Sequence, residues 1–338
     1  MKVFMLGWEF PPFISGGLGT ACYGLTKAMD KLGIKVTFCL PTIVEGEYAA
    51  AVKLLNTGSE SSAASLESGE LQNVTFRAIN SPLQPYSTPD VYRQRIEETL
   101  RQKQTGGASV GTAGRFAGGG DYGRDMHAEV HRYAAAAVEL AANEQFDIIH
   151  AHDWMTYPAG IAVAAMSGKP LIVHVHSTEF DRSGENVNQM VYDIEFEGME
   201  RADKVIAVSY FTRSIIIGRY GISGEKVEVV HNGVEHHGSG SWALTKAGIG
   251  KDEKIVLFLG RITMQKGPEY FLSAAKKVLE VMDNVKFVMA GSGDLMHRAV
   301  EMAAELGIGH KVLFTGFLHG QDVRKIYAMA DLYVMPSV

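Results

Sequence analysis

The sequence predicts an α/β protein with two doubly wound, Rossmann-like domains that face a cleft, the second of them incomplete. Three observations support this fold class. Short apolar strand patterns alternate with helix patterns, as expected for parallel sheets. The alternation starts again at Lys254–Gly260, after a polar Gly/Ser segment. Glycine-rich junctions follow strands in both halves, at the sheet edge where such folds bind ligands. We therefore expect domains at 1–245 and 246–338, with a flexible insertion at about 50–120.

Composition limits the class of protein. The 338 residues are 46% hydrophobic and 21% charged, as in soluble globular proteins. A net charge of −6 argues against a nucleic-acid-binding surface. The two cysteines, Cys22 and Cys39, fall inside a helix and a strand pattern, so both are expected in the core of a cytoplasmic protein. The N-terminal apolar run is too short for a signal peptide, and we expect no integral membrane association.

The first βαβ unit contains a glycine-rich junction. Strands are predicted at 2–7 and 34–40, and the run Gly16-Gly17-Leu18-Gly19 precedes the helix between them. Backbone N–H groups at a helix N-terminus can bind phosphate, which makes this run a candidate anion site. The alternative is a tight βα turn in which glycine only permits positive φ. The run is neither a full G-x-G-x-x-G fingerprint nor a Walker loop.

Glu9 follows the first strand, where open α/β sheets place their ligands. It is interpreted either as a polar contact or as a solvated loop carboxylate. Farther on, Asn56–Glu70 and Gln104–Gly120 are low in complexity and predict loops. A strand is expected within Leu71–Ile79 and a charged helix at 90–103, before a helix at about Met126–Asn143.

Histidines end two later strand patterns. Phe146–His152 is followed by Asp153 and Trp154, and the strand at Lys169–Val175 is followed by His176. Metal ligation by His150, His152 and Asp153 is disfavoured, because adjacent strand positions face opposite sides and no cysteine completes the set. Hydrogen bonds to a hydroxyl-rich ligand, with Trp154 as a flat apolar face, fit these residue types better. We expect a structural role for His150 and a functional one for His176.

The second half repeats the strand, loop and helix order. After the strand at 254–260, Arg261 and Lys266 lie in a loop that Pro268 ends as the first helical residue. Two cations at such a junction can bind one anion, and their position favours this interpretation over the alternative of two solvated surface cations. Further strands are predicted at 285–290, 311–317 and 332–336, with a helix at 321–330.

Several motifs in this order resemble one enzyme family. They are Glu9-Phe10-Pro11-Pro12 with the glycine run, Tyr122–Asp125, His150–Trp154, Val175–Thr178, Val230–Val234, Gly260-Arg261 with Lys266-Gly267, and Ala290–Asp294. Together they resemble the retaining nucleotide-sugar glycosyltransferases of the GT-B architecture, and among these the glycogen and starch synthases of glycosyltransferase group 1.

The resemblance implies a role for each matched residue. His176, Arg261 and Lys266 are the expected catalytic residues: His176 near the anomeric carbon, and the two cations at the leaving diphosphate. The residues expected to bind the donor are Gly16, Gly17, Leu18, Gly19, Gly291, Ser292, Phe317 and Leu318. The residues expected to face the acceptor are Glu9, Asp153 and Trp154. No metal or cofactor is implied beyond the donor, ADP-glucose or UDP-glucose, and the acceptor is a glucan.

The family's paired glutamates would follow Val338. We therefore expect this chain to be C-terminally truncated and to transfer sugar poorly, while the complete gene product is active. The leading hypothesis is transfer of glucose to an α-1,4-glucan with retention. Alternatives are a small sugar or lipid-linked acceptor, a non-catalytic glucan-binding fragment, and an epimerase with a carboxylate pair. A dehydrogenase is disfavoured because Leu40-Pro41-Thr42 offers no acidic residue at the second strand end.

Overall fold

A computed structural model describes residues 1–10, 16–41, 55–56, 71–79, 122–233, 253–318 and 320–338. The chain divides into two compact units, Met1–Glu235 and His236–Val338. The boundary predicted at 245/246 lies outside the described residues. So do the helix predicted at 90–103, the loop at 104–120 and most of the loop at 56–70.

The first unit is built on an eight-stranded sheet in which every neighbouring pair is parallel. Its strands are β1 (Lys2–Leu6), β2 (Lys35–Pro41), β3 (Leu55–Asn56), β4 (Val74–Ile79), β5 (Ile148–His152), β6 (Leu171–Val175), β7 (Lys204–Ala207) and β8 (Val227–Val229). The order across the sheet is β3-β4-β2-β1-β5-β6-β7-β8. The order reverses between β1 and β5, which makes the sheet doubly wound, as predicted.

Helices connect these strands. They are α1 (Gly17–Lys31), α2 (Tyr122–Ala141), α3 (Tyr157–Ser167), α4 (Glu179–Ser183), α5 (Gln189–Arg201) and α6 (Tyr210–Tyr220), with a 3-10 turn at Trp154–Thr156. The helix predicted from Met126 begins four residues earlier, and the motif Tyr122–Asp125 forms its first turn. Nothing is described of the side chains of those four residues.

The second unit contains a four-stranded parallel sheet of order β11-β10-β9-β12. The strands are β9 (Lys254–Leu259), β10 (Val285–Ala290), β11 (Val312–Gly316) and β12 (Leu332–Tyr333). The helices are α7 (Pro268–Leu279), α8 (Met296–Glu305) and α9 (Gly320–Met329), with 3-10 turns at Met264–Lys266 and Gly309–Lys311. Pro268 is the first residue of α7, as predicted, because its missing N–H is not needed there.

The core of each unit follows from the strand patterns. β1 and β5 lie in the middle of the first sheet, and Phe4, Met5, Leu6 and Ile149 are fully buried there. In the second unit the strands β9 and β10 bury Leu257, Phe258 and Met289 in the same way. Strands buried on both faces explain why these segments are almost continuously apolar. No helix among the described residues is both long and apolar enough to cross a membrane.

Candidate functional site

The reversal of strand order between β1 and β5 defines a crevice at the carboxyl edge of the first sheet. Residues that follow β1, β5 and β6 meet at this edge. β5 and β6 pair with His152 opposite His174, so the polar residues after both strands are brought side by side. The sequence predicted a site at these strand ends, and the topology shows why the ends converge.

Glu9 is fully buried, so the interpretation as a solvated carboxylate is wrong. Its Oε2 accepts a hydrogen bond of 3.0 Å from the backbone N–H of Gly19. Gly19 belongs to the first turn of α1, whose orphan N–H groups and positive dipole end favour a carboxylate. Glu9 was predicted to contact the acceptor and Gly19 to bind the donor's phosphates, yet the two residues bind each other.

The glycine run differs from the predicted loop. Gly16 is the N-cap residue with extended backbone, and Gly17, Leu18 and Gly19 form the first turn of α1. A Cβ built on exposed Gly17 meets no atom within 4 Å. Protein packing therefore does not require glycine at this position. Glycine there leaves the backbone open to close approach by a ligand.

Asp153 occupies strained backbone at the end of β5. Its φ of 58° makes it the non-glycine residue with positive φ among the described positions. Its Oδ1 accepts a 2.8 Å hydrogen bond from the backbone N–H of His176, and its own N–H donates to the carbonyl of His174. Burial raises the pKa of the Asp153 carboxyl to about 6, against the lowering effect of the backbone N–H groups of His176 and Ser177 and of the charge of Arg182. Asp153 thus connects β5 to the residues that follow β6.

Four histidines form a stacked cluster at the same edge. His150 and His152 of β5 share one face, and His174 and His176 lie beside them. His152 Nδ1 lies 3.0 Å from His176 Nε2, and His174 Nδ1 lies 3.3 Å from His150 Nε2. Neighbouring ring centroids are 4.3 to 5.4 Å apart. The sequence predicted roles for His150 and His176 separately, and the pairing emerges only from the strand register.

The imidazoles are uncharged at neutral pH. Burial lowers the pKa of His176 to about 4 and that of His174 to about 2. It also lowers the pKa values of His150 and His152 well below their usual range. Each ring therefore has one N–H donor and one acceptor nitrogen. Such a cluster suits hydrogen bonding to hydroxyl groups and can also bind a metal.

Cys22 lies against this cluster. Ligand atoms of Cys22, His152 and His176 lie within 4.8 Å of one another, as do ligand atoms of His150, His152 and His174. The sequence argument that no cysteine completes a ligand set is therefore wrong about the geometry. The cysteine comes from α1, more than 100 residues away in the chain, so strand periodicity gave no signal of it.

Trp154 does not offer the open flat face that the sequence predicted. Its side chain is only 8% exposed and packs edge-on against Trp8, with ring centroids 6.2 Å apart. It is the first residue of the 3-10 turn at Trp154–Thr156, whose three residues are all buried. In this structure Trp154 is a packing residue of the crevice wall.

Arg182 is a neighbour that the sequence analysis missed. Its guanidinium donates to the carbonyl and hydroxyl of Ser177 at 3.3 and 3.0 Å, and it pairs with Glu179 and Glu195. Burial alone lowers the pKa of Arg182, but the charges of Glu195 and Asp153 outweigh it and raise the pKa. The capping box formed by Thr178 and Asp181 could have predicted the start of α4, the helix that contains Arg182.

The corresponding edge of the second unit is made of closely approaching backbone. Gly291 has a φ of +140°, and a Cβ there would lie 1.9 Å from the carbonyl oxygen of Gly260. A Cβ on Gly293 would lie 2.3 Å from the carbonyl oxygen of Ile262. Both turns follow strands of the sheet, β10 and β9. Glycine is required here by the fold itself.

The remaining predicted residues of the second unit lie near these turns. Arg261 is half-buried, and its guanidinium donates to Gln265 Oε1 at 3.2 Å, while half-buried Lys266 ends the 3-10 turn before α7. Ser292 is exposed, and its carbonyl accepts from the N–H of Ile262 at 2.9 Å. Phe317 is 47% exposed, whereas Leu318 packs in part against the core. The ring of Phe317 is therefore only partly covered by protein.

Comparisons with known proteins identify the two halves. The profile of Glycosyltransferase Family 4 matches residues 114–237, and the profile of glycosyl transferases group 1 matches residues 244–338. An uncharacterised glycosyltransferase of Methanocaldococcus jannaschii is 28% identical over 356 residues, covering 100% of this chain and 75% of that protein.

Two further relatives have named activities. D-inositol 3-phosphate glycosyltransferase 1 of Catenulispora acidiphila is 30% identical over 217 residues, covering 59% of this chain and 52% of that enzyme. Glycogen synthase of Mycobacterium tuberculosis is 21% identical over 350 residues, covering 100% of this chain and 72% of the synthase.

Solved structures show the same fold. HepE of Anabaena, in complex with UDP and glucose, has a TM-score of 0.64 at 17% identity, covering 100% of this chain and 74% of that one. The catalytic domain of starch synthase IV from Arabidopsis thaliana, bound to ADP and acarbose, has a TM-score of 0.66 at 17% identity, covering 100% of this chain and 78% of that one. The chain is therefore a glycosyltransferase with the GT-B fold, and its second unit matches the model of glycosyl transferases group 1.

Proposed function

We propose that the protein transfers glucose from ADP-glucose or UDP-glucose to an α-1,4-glucan with retention of configuration. The observation that carries the proposal is the crevice of the first unit. There His176, uncharged and held in place by Asp153, lies at the same sheet edge as the N-terminus of α1. A neutral imidazole can hydrogen-bond sugar hydroxyls without the cost of burying a charge.

Each unit has its own candidate residues for binding the donor. In the first, the N–H groups of Gly16, Gly17 and Leu18 are candidate hydrogen-bond donors to the phosphates of the sugar nucleotide. Gly19 is the fourth residue of this run, and its N–H already binds Glu9. In the second unit, the residues that would line the nucleotide are Gly291, Ser292, Phe317 and Leu318. Support comes from the close backbone turns and from the exposed ring of Phe317.

Charge develops on the diphosphate as it leaves the anomeric carbon. Arg261 and Lys266 are proposed to stabilise this charge, Arg261 through its planar fork and Lys266 as a point charge. The hydrogen bond from Arg261 to Gln265 fixes the orientation of the guanidinium before the donor arrives. Preorganised cations of this kind supply the electrostatic stabilisation that a divalent metal supplies in other transferases.

The acceptor side is proposed to involve Glu9, Asp153 and Trp154. Because all three are buried, they act mainly as the base of the crevice. Glu9 binds the N–H of Gly19, Asp153 binds the N–H of His176, and Trp154 packs on Trp8. A glucan is supported by the glycogen synthase relative, whose match extends over the whole chain.

A small acceptor is the second candidate. The relative with the higher identity, 30%, is named as a D-inositol 3-phosphate glycosyltransferase, although the match covers only 59% of this chain. A phosphorylated polyol and a glucan both present hydroxyl groups to the imidazole cluster, so the geometry of the first unit accommodates either. The acceptor assay below separates them.

The test is release of nucleoside diphosphate by the protein from ADP-glucose and from UDP-glucose. Each donor is assayed with glycogen, with inositol 3-phosphate and without acceptor. Glycogen-dependent release supports the proposal and names the donor. Release that depends only on inositol 3-phosphate supports the second candidate, and release that ignores both acceptors contradicts the two of them.

A matched pair of histidine variants locates the activity. His176→Ala should lower the rate by about 10²- to 10³-fold, since it removes a hydrogen bond near the reacting carbon. His131→Ala removes an exposed histidine on α2 and should leave the rate unchanged. Equal rates for the two variants would exclude His176 from the reaction.

A further inference from the structure

The cluster of Cys22 with the histidines contains more ligand atoms than sugar binding uses. Cys22 is a fully buried free thiol on α1, and its ligand atom lies within 4.8 Å of those of His152 and His176. A buried cysteine is usually a small apolar packing residue. Here it faces two imidazoles, which are the other protein ligands that zinc prefers.

Two nitrogens of the cluster have no hydrogen-bond partner. They are Nε2 of His152 and Nε2 of His174, both buried within the part of the chain that the structure describes. A buried polar atom without a partner costs about 1 to 3 kcal/mol, so native proteins rarely keep one without a reason. The cluster is thus incompletely hydrogen-bonded, and the nitrogen of His152 that faces His176 is the other one, Nδ1.

The spacing of the cluster also fits a metal. Two imidazole nitrogens bound to tetrahedral Zn²⁺ at 2.0 to 2.1 Å are about 3.3 Å apart. The separation of His152 Nδ1 and His176 Nε2 is 3.0 Å, and that of His174 Nδ1 and His150 Nε2 is 3.3 Å. Only small ring movements would therefore be needed to replace a hydrogen bond by two metal bonds.

We propose that Cys22, His152 and His176 form a site for Zn²⁺. The thiolate and two imidazoles supply three ligands, and the fourth position is left for water, as in zinc sites that keep an open position. The thiol proton is released to solvent on binding. His176 is partly exposed, which gives the ion an entry path. The set His150, His152 and His174 is buried throughout and lacks such a path.

Zinc at this site has a consequence that rests on the proposed function. A His176 ring that binds Zn²⁺ loses one of the two nitrogens available for the donor sugar. Zn²⁺ should then inhibit transfer, and the inhibition should depend on Cys22. The binding itself does not depend on the proposed function and is measured separately.

The binding test uses Co²⁺ as a coloured substitute for Zn²⁺ on the reduced protein. Wild-type protein should show a thiolate-to-Co²⁺ charge-transfer band together with tetrahedral d–d bands, and Zn²⁺ should displace both at one equivalent. Cys22→Ala should lose the charge-transfer band and weaken Zn²⁺ binding by at least about 100-fold. Cys39→Ala is the matched control, because Cys39 is also a buried free thiol. It should keep both properties.

Each other outcome overturns the site. Absence of any band in folded wild-type protein means that no site exists. Bands of d–d type without charge transfer indicate a histidine-only site, which excludes Cys22 as a ligand. A charge-transfer band that persists in Cys22→Ala and disappears in Cys39→Ala shows that Cys39, and not Cys22, is the metal ligand. Thermal unfolding of each variant shows whether a lost band reflects loss of the fold.

Activity then separates this inference from the proposed function. Each variant is compared with its own metal-free rate of diphosphate release. Inhibition of the wild type by Zn²⁺, but not of Cys22→Ala, supports both conclusions. Spectroscopic binding without inhibition keeps the metal site and contradicts the role of His176 at the sugar.

Discussion

The carboxyl edges of the two sheets are built in different ways. In the first, the carboxyl edge of the sheet is lined by polar side chains, above all buried Glu9, Asp153, His150, His152 and His174 and half-buried His176. In the second, the edge is formed by main chain that only glycine permits, at Gly291 and Gly293, with Arg261 as a neighbouring cation. The first edge therefore depends on side-chain chemistry and the second on backbone geometry.

This difference indicates where each edge is vulnerable. A side-chain substitution in the first unit changes hydrogen bonding while the strands and helices remain. A Cβ added at Gly291 or Gly293 of the second unit would collide with backbone and so destabilise the fold itself. The predictions below test this contrast, in order of decreasing expected effect.

The largest effect is expected for the cation of the second unit. Arg261→Ala should lower kcat by about 10²- to 10³-fold with little change in stability, because it removes charge stabilisation at the leaving group. Arg261→Lys should recover only part of the loss, since it lacks the planar fork. Steady-state diphosphate release measures both. Lys277→Ala removes an exposed cation of α7 as a control, and an equal loss there would reject the specific role.

The next effect concerns the backbone of the same unit. Gly291→Ala should destabilise the second unit by about 2 to 3 kcal/mol, because the new Cβ would meet the carbonyl oxygen of Gly260 at 1.9 Å. Gly309→Ala is the control, since a Cβ there meets no atom within 4 Å. Urea unfolding followed by circular dichroism compares the two. Similar stability of both variants would show that the turn tolerates a side chain.

A pH-dependent effect of similar size is expected for the buried acid of the first unit. The folded pKa of Asp153, about 6, lies above its ordinary value of 3.8, so folding favours the protonated form. The stabilisation is full below about pH 4 and is lost as the pH rises through about 6. Asp153→Asn, which cannot ionise, should be more stable than wild type at pH 7 by about 2 to 3 kcal/mol. The advantage should vanish near pH 4.

Thermal unfolding between pH 4 and 8 measures this dependence. Asp193→Asn, an exposed carboxyl on α5, is the control and should leave the pH profile of the wild type unchanged. A parallel profile for Asp153→Asn and wild type would contradict the raised pKa.

The smallest effect has opposite signs for stability and binding. Gly17→Ala should stabilise α1 by about 0.5 to 1 kcal/mol, because alanine is the better helix former and its Cβ enters open space. The same methyl group should raise KM for the nucleotide sugar by obstructing the backbone N–H groups. Gly24 is also exposed on α1, with open space around it, so Gly24→Ala should give a similar stabilisation without the increase in KM. Identical KM values for the two variants would show that this turn does not bind the phosphates of the nucleotide sugar.

Local features of the fold were predictable from sequence. The apolar runs of β1 and β9 and the start of α7 at Pro268 depend on neighbouring residues, and the structure confirms them. The beginning of α1 was placed too late because glycine is a poor helix former, yet Gly17–Gly19 are helical when Glu9 accepts a hydrogen bond from the first turn.

Features that depend on strand order were not predictable. The histidine cluster requires β5 and β6 to pair with His152 opposite His174, and a single sequence does not contain that register. The position of Cys22 beside His152 depends on α1 packing over the sheet. The positive φ of Asp153 had no local signal either, because aspartate rarely adopts it.

The hydrogen bond between Glu9 and Gly19 gives the first helix a resident anion. An incoming phosphate that approaches the same N–H must compete with a carboxylate that is already desolvated and in place. Binding there is therefore an exchange of one anion for another, and its strength reflects the difference between the two. A ligand that used the N–H of Gly19 would therefore have to displace the carboxyl group of Glu9 from the helix N-terminus.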